Sequence, residues 1–167
     1  MYTVLVSCVG KTGKPNLITL AWAMSTSVNP PLVAISIAPR RHSYASIEEA
    51  KEFVVNIPSM EILDATLFCG RRSGEDHDRL KETNLTPFPS RKVKPPTIKE
   101  CIAHLECKLH SQFTTGDRTV FVGEIVKASS VKEAFTDGYN LEKAKMTFHI
   151  GGNDFATLDP KVSTPEL

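Results

Sequence analysis

The chain has 167 residues, of which 41% are hydrophobic, and 20 Lys and Arg residues stand against 19 Asp and Glu. That length suffices for one domain with its own core. The formal net charge of +1 gives no overall field that would attract nucleic acid or an acidic membrane surface, so any basic binding site has to be local.

The N-terminal residues and the cysteines bear on the compartment in which the protein works. Residues 1–8 lack the charged and apolar regions of a secretory signal, and no apolar run approaches the ~18 residues of a membrane span. We therefore expect a cytoplasmic protein that binds neither membranes nor nucleic acid. Cys8 and Cys107 lie in apolar strand patterns, so the four cysteines are expected to be free thiols.

Strands are predicted over most of the first third of the chain. Residues 2–9 form one, and the apolar run at 16–37 predicts two more around a polar loop of small residues. The prolines of Asn29-Pro30-Pro31 forbid a helix across that loop. Its hydroxyl groups lie beside Trp22 and Met24, a combination that suits a heteroaromatic ring, while an ordinary loop between core strands is the alternative.

Helices are predicted in the middle of the chain. A capping box at 46–49 indicates a short helix, Ser59 indicates the start of a second, and residues 73–76 are predicted to cap a third that ends near residue 83. The four prolines within 85–97 predict an irregular surface connection.

The second half of the chain is predicted to return to strands, at 102–112, 119–128 and 146–150. Many strands, few helices and proline-rich turns favour an antiparallel barrel over a parallel α/β sheet.

A basic turn, Arg40-Arg41-His42-Ser43, precedes the first predicted helix. Its guanidinium, imidazole and hydroxyl groups lie where the helix amides and the helix dipole already favour an anion, so a phosphate would fit there. A solvated basic turn without a ligand is the alternative.

Three segments, at 16–37, 39–44 and 69–79, resemble in their order and spacing the flavin reductase-like family with the FMN-binding split barrel, most nearly its archaeal-type ferric reductase and flavoredoxin branch. Further similar stretches are 53–58, 116–124 and 148–155. The resemblance covers nearly the whole chain and implies one domain at 1–158 followed by a C-terminal tail at 159–167.

The resemblance implies a mainly β fold, a Greek-key antiparallel split β-barrel with a few flanking helices, and FMN bound at the interface of a homodimer. It assigns the ring edge of FMN to Thr19, Trp22, Ala23, Met24 and Ser25. It assigns the phosphate and ribityl end to Arg41, His42, Ser43, Ser73, Gly74 and Arg79, and it places Cys69 and Gly70 close to the flavin. Lys is more usual in the family where Arg79 stands, a difference that keeps the charge and alters the geometry.

Two sets of residues invite further readings. Cys69 has no second cysteine near it in sequence for thiol exchange, so we expect a packing or backbone role for it more than a redox one. His104, Cys107 and His110 have a spacing that resembles a metal site. Residues three apart on a strand face opposite sides, however, so we expect no metal there.

Gly116-Asp117-Arg118 departs from the family pattern, in which the matching motif is usually Gly-Asp-His and the His helps to place a nicotinamide donor. Arg118 either binds a phosphorylated donor such as NADPH through a charge-assisted contact, or marks a site that no longer serves a nicotinamide. A plain β-turn at a hairpin is the structural alternative.

The predicted function is that of an NAD(P)H-dependent flavin or ferric reductase in which FMN carries the chemistry and no side chain acts as acid, base or nucleophile. The electron acceptor would be ferric iron, free flavin or a protein partner. The alternative is a non-enzymatic flavoredoxin-like electron carrier between protein partners, which Arg118 keeps open. Relatives of this barrel also bind haem or pyridoxal phosphate, but we expect a packed or surface position for His149 instead of haem ligation.

Overall fold

The computed structural model describes residues 1–165 and is mainly β. Its strands are β1 Val4–Val9, β2 Pro15–Leu20, β3 Ala23–Ser27, β4 Leu32–Ile37, β5 Glu52–Ile57, β6 Pro87–Phe88, β7 Thr97–Ile98, β8 Ala103–Thr115, β9 Arg118–Ser130, β10 Phe148–Gly151 and β11 Asp154–Ala156. Its α-helices are α1 His42–Ala50, α2 Leu63–Arg71 and α3 Arg79–Thr83, and a 3-10 turn at Met60–Ile62 leads into α2.

Seven strands form one antiparallel sheet in the order β2-β1-β5-β8-β9-β4-β3. Its two edge strands, β2 and β3, are consecutive in the chain and are joined only by Ala21 and Trp22. The sheet therefore curls until its edges meet at that link, where the Ser36 N–H donates to the Trp22 carbonyl at 3.0 Å. Because β2 and β3 are not paired with each other, the barrel is split along this seam, and the predicted fold class is confirmed.

Strand β1 is buried on both of its faces. Successive side chains of a strand point to opposite sides, so Val4 and Val6 enter the barrel interior while Leu5 points outward. The interior cluster includes Phe53, Ile35, Ile37 and Phe121, and the outer cluster contains Leu17, Cys69, Leu85, Ile98 and Cys101. Burial on both faces explains why the sequence of β1 is apolar without alternation.

The 16–37 run differs from the prediction of two strands around a loop. Its small polar residues belong to β3, which pairs with β4 through a bulge between Ser25 and Ser27. The chain turns at 28–31 instead, through a cis Asn29-Pro30 peptide bond. The three middle residues of β3 are exposed, and an edge strand with a solvated face accepts polar side chains, so a short polar stretch did not indicate a loop.

The first helix begins earlier than the capping box predicted. Its first residue is His42 and its N-cap residue is Arg41, with Ser46 buried inside the helix instead of capping it. The prediction that Ser59 begins the second helical segment is confirmed, because its side chain accepts the Glu61 N–H at 3.3 Å.

The predicted start of the third helix is wrong. Ser73 accepts the Glu75 N–H in a separate turn, and α3 begins only after Asp78, whose side chain accepts the Lys81 N–H at 3.2 Å. Cys69 and Gly70 lie near the end of α2.

None of the helices within residues 1–165 has the length and apolar character needed to cross a membrane. After β11, residues 157–165 form neither helix nor strand. The four cysteines are free and buried, as expected.

Candidate functional site

A buried polar chain joins the start of β2 to the start of α1. The Asn16 amide Nδ2 donates to Ser43 Oγ at 2.8 Å, and Asn16 Oδ1 accepts from Arg79 Nη1 at 3.4 Å. Ser43 and Arg79 were predicted site residues, whereas no motif in the sequence pointed to Asn16. Because Asn16 contacts both, it acts as a positioning residue for this end of the site.

The first turn of α1 is open to an anion. Arg41 has extended backbone angles and its side chain makes no capping hydrogen bond, so no side chain satisfies the N–H groups at the helix start. The Arg41 and His42 side chains are exposed. A cavity of about 380 Å³ opens beside His42 and is lined by Ser46, Gly74, Arg79 and two ion pairs, Lys11–Glu49 at 2.8 Å and Lys14–Asp78 at 3.0 Å. Because these lysines are already paired, the feature that favours a phosphate here is the helix N-terminus with the exposed Arg41 at its cap.

Arg79 lines the buried side of this cavity. Its side chain is 3% exposed, its Nε donates to the Arg72 carbonyl at 2.8 Å, and its Nη1 donates to the Leu17 carbonyl. Burial lowers the pKa of Arg79, and the nearby charge of Arg41 acts in the same direction. Most of its donors are thus used within the protein, so Arg79 adds charge to the cavity while Arg41 and His42 offer the open donors.

Gly74 is required by close packing against Asn16. A Cβ atom at position 74 would lie 2.2 Å from Asn16 Oδ1, far inside van der Waals contact. Any larger residue would displace the Asn16 amide and, through it, Ser43. Ser73, by contrast, is half-buried and its hydroxyl is used in the local turn with Glu75.

Two further cavities follow along the chain from β2 into β3. The first, of about 160 Å³, is lined by Thr19, Ala21, Gly70 and Arg71, and a Cβ atom at Gly70 would lie 3.3 Å from the Thr19 side chain. The second, of about 760 Å³, is lined by Ala21, Trp22, Ala23, Met24, Phe113 and Val120. Ala21 lines both, so the two cavities adjoin at the link between the edge strands.

Ser25 and Cys69 lie apart from the ring-sized cavity. Ser25 is exposed and lines a neighbouring cavity of about 360 Å³ together with Ala23 and Met24. Cys69 lies in the outer apolar cluster with no surface exposure. The arrangement supports the packing role that the sequence favoured for Cys69.

Arg118 lies directly over Trp22. Its guanidinium carbon is 3.9 Å from the centroid of the indole ring, which is cation–π geometry. The turn before it, at Gly116 with φ +57°, requires glycine, and it returns the chain so that Arg118 begins β9. Arg118 Nε is buried without a hydrogen-bond partner among the described residues, and it is 3.9 Å from Asp117 Oδ1, an ion-pair distance. A ligand lying near Trp22 would therefore meet the positive charge of the guanidinium and not its buried Nε.

The three cavities follow one another along the chain from Asn16 in β2 to Met24 in β3. Asn16 and Ala21 are five residues apart, about 17 Å along an extended strand at roughly 3.3 Å per residue. The Asn16 end offers cations and helix amides, and the Ala21 end offers an indole ring and apolar side chains. The arrangement suits a flat heteroaromatic ring joined by a flexible chain to a phosphate.

Burial makes the Cys69 thiol a poor nucleophile. It raises the pKa of Cys69 to about 11, against a smaller opposing effect of the Arg79 charge. The thiolate forms only above that pKa, so at pH 8 roughly one thiol in a thousand is ionised. We expect negligible alkylation of Cys69 by iodoacetamide in the folded protein and full alkylation in denaturant, measured by peptide mass mapping. Rapid labelling of the folded protein at this residue would instead indicate a reactive, redox-capable thiol.

The His104, Cys107 and His110 spacing does not form a cluster. His104 Nε2 is 2.8 Å from the Ile98 carbonyl, and Cys107 is buried in the barrel interior. Within the described part of the chain, no three His, Cys, Asp or Glu side chains are grouped so that they could hold a metal ion. His149 is half-buried, with its Nε2 3.0 Å from the Gly152 carbonyl.

Comparisons with known proteins agree with this geometry. The model of the family described as flavin reductase like domain matches residues 1–148. An uncharacterized protein of Archaeoglobus fulgidus is 38% identical over 86% of this chain and 81% of its own length. A flavin reductase of Pseudomonas putida is 29% identical over 88% of this chain and 78% of its own. The structure of flavoredoxin from Desulfovibrio vulgaris superimposes with a TM-score of 0.90 at 25% identity, covering 98% of this chain and 89% of that one.

Proposed function

The chain belongs to the flavin reductase-like domain family, and from that premise we propose that it binds FMN and transfers electrons from NAD(P)H to an acceptor through it. The single observation that carries the proposal is the row of cavities along β2 and β3, with an anion-binding helix start at one end and an apolar, Trp-lined surface at the other. The flavin reductase and the flavoredoxin to which the chain is similar support the proposed reaction class.

The residues present fit FMN. Arg41, His42 and the first amides of α1 would hold the phosphate, with Ser43, Gly74 and Arg79 shaping the cavity beneath it. Thr19, Gly70 and the Ala21 link would flank the middle of the ligand, and Trp22, Ala23 and Met24 would line its ring. Ser25 would lie next to the ring, in the neighbouring cavity. When bound, FMN supplies reversible two-electron chemistry that no side chain here provides.

The protein's own contribution is placement and exclusion of water. Backbone amides near the link would donate to the polar rim of a ring, the apolar side chains of Met24 and Phe113 would cover its faces, and Arg118 would add a positive charge at the Trp22 side. None of these roles requires a side chain to exchange a proton. The electron acceptor we propose is ferric iron, free flavin or a protein partner.

The second candidate is an electron carrier without turnover. Arg118 occupies the face of Trp22 at 3.9 Å, where the family usually has a histidine for the nicotinamide. If Arg118 on Trp22 prevents a nicotinamide ring from reaching the flavin, a partner protein would reduce the flavin instead.

The visible spectrum of the purified protein and its anaerobic bleaching separate these functions. Flavin absorbance that bleaches with NADH or NADPH at a catalytically useful rate supports the reductase. Flavin absorbance that bleaches only with dithionite supports the carrier. A colourless protein that takes up no FMN when it is added contradicts both.

The exposed apolar side chains near the ring cavity support a homodimer. Trp22 is 46% exposed, Met24 65% and Phe113 56%, and contiguous apolar surface of this kind is typical of an interface. If FMN lies between subunits, we expect dilution below the dimer dissociation constant to release flavin in step with dissociation. Analytical ultracentrifugation at the flavin wavelength measures both events. A monomer that retains stoichiometric FMN would exclude an intersubunit site.

A further inference from the structure

A second cavity lies at the opposite end of the long β8–β9 hairpin. It has a volume of about 300 Å³ and shares no lining residue with the three cavities along β2 and β3. Its floor contains Glu106 of β8 and Lys127 of β9, which are cross-strand partners. On each strand these residues are seven positions from the ring cavity, at Phe113 and Val120, which is about 23 Å at roughly 3.3 Å per residue.

Carboxylates fix the roof of this cavity, the proline-rich segment that follows β6. Both oxygens of Glu106 accept the Arg91 N–H, at 3.1 and 3.0 Å, and one also accepts the Lys92 N–H at 2.6 Å. Glu52 accepts the Lys94 N–H at 2.9 Å. The short β6–β7 pair closes the segment at its ends. Glu106 is therefore occupied by the backbone, and the cavity is built before any ligand enters.

The remaining charge of the cavity is positive. Arg91, Lys99 and Lys127 line it, and none of them takes part in the ion pairs formed within residues 1–165. Lys127 is half-buried, so part of its side chain is removed from solvent where it lines the cavity. Three cations against one carboxylate leave the cavity with an uncompensated positive charge.

Neutral polar side chains line the cavity together with the three cations. His104 Nε2 lies 2.8 Å from the Ile98 carbonyl, so that nitrogen carries a proton and donates. Burial lowers the pKa of His104, and the ring is neutral near pH 7. The Ser129 hydroxyl is 3.4 Å from the other ring nitrogen, so both nitrogens of His104 have partners within the protein. Ser130 also lines the cavity, and its hydroxyl can offer a hydrogen bond without changing the charge.

An apolar wall faces these polar groups. Phe88 is 60% exposed and Val131 is 42% exposed, and Pro89 lies beside them. An exposed phenyl ring on a strand of fixed geometry offers a flat surface against which a planar group packs. The volume is at the lower limit of small-molecule sites, which suits a single ring.

We propose that this cavity binds a small organic anion with a planar apolar body, of the size and charge of an aromatic carboxylate. The carboxylate would contact Lys127 and its neighbouring cations, and the ring would pack against Phe88. The site is separate from the flavin site, so the proposal stands or falls independently of the proposed function.

Benzoate is the probe, titrated into the ¹⁵N-labelled protein saturated with FMN and followed by amide chemical shifts. We expect saturable shifts in the roof and in residues 127–131. Benzyl alcohol, which lacks the charge, and acetate, which lacks the ring, should each bind at least ten-fold more weakly. Lys127→Gln and Phe88→Ala should each weaken benzoate binding at least five-fold, whereas Lys143→Gln, at an exposed lysine outside the cavity, should leave it unchanged.

Three results would overturn the proposal. They are the absence of saturable shifts, shifts confined to residues 19–25 and 118 of the flavin site, and equal benzoate affinity in Lys127→Gln and the parent protein. Because Lys127 contributes to a strand, Lys99→Gln, at an exposed lysine of the cavity just after β7, is a second variant that should also weaken benzoate binding. The ¹⁵N spectrum of each variant reports whether its own fold is intact. Equal affinity for acetate and benzoate would show that the ring gains nothing from packing against Phe88, which contradicts the proposal.

Discussion

Replacing Arg41 with alanine is expected to weaken FMN binding by ten- to a hundred-fold while leaving riboflavin binding unchanged. Arg41 is exposed at the N-cap position of α1, where its side chain makes no capping bond and is available to a phosphate. One hydrogen bond to a charged group contributes about 1.5 to 3 kcal/mol, which corresponds to that range of affinity. Fluorescence titration of apoprotein with each flavin measures the effect.

Arg40→Ala is the matched control, because Arg40 is an exposed arginine one residue earlier and outside the helix. We expect it to cost at most about three-fold, as a nearby screened charge would. An equal loss in both variants would indicate a general positive field instead of a phosphate contact. If parent protein bound riboflavin as tightly as FMN, the phosphate assignment would be wrong altogether.

Replacing Arg118 with alanine is expected to reduce kcat/KM for NADPH roughly thirty-fold, which is a loss of about 2 kcal/mol in transition-state stabilisation. NADH turnover and FMN content should be nearly unchanged. The guanidinium is half-buried and stacked on Trp22, and its ion pair with Asp117 is long, at 3.9 Å, so its positive charge is held in place and remains available to a phosphate group. Steady-state rates with both donors measure the difference, and added salt should diminish it.

Arg118→Lys separates charge from stacking. Lysine keeps the positive charge but loses the planar fork and its contact with the indole ring, so we expect it to recover only part of the NADPH preference. Equal slowing of both donors by Arg118→Ala would mean that Arg118 places the nicotinamide or the turn. If neither donor reduced the flavin of the parent protein at a useful rate, the electron-carrier function would replace the reductase.

The strands were predictable because their signals are local. Apolar runs bounded by Gly and Pro marked β1, β4, β8 and β9 to within a few residues. The helix starts were less predictable, since Ser46 and Ser73 have the chemistry of caps yet are used elsewhere. Ser46 packs inward beneath Gly10, and Ser73 closes its own turn. A capping motif shows that a side chain is able to accept a backbone N–H. Whether an N–H lies within reach depends on the folded backbone.

The contacts that build the site come from distant parts of the chain and were not predictable from spacing. Asn16 joins Ser43 and Arg79, which are 27 and 63 residues away. Arg118 contacts Trp22 only because the turn between β8 and β9 lies close to the start of the edge strand β3. Sequence resemblance named most of these residues individually, but the hydrogen bonds between them follow from the curled sheet.

The two-residue link between the edge strands couples folding to ligand affinity. The closure that brings β2 beside β3 also brings Ala21 and Trp22 into the wall of the cavities, so a chain with an open seam has no site. A ligand that binds only the closed form adds RT ln(1 + [L]/Kd) to the stability, about 2.7 kcal/mol when its free concentration is a hundred times Kd. The cellular supply of flavin would thereby set the lifetime of the protein against proteolysis, and lengthening the link by even one glycine would weaken both properties together.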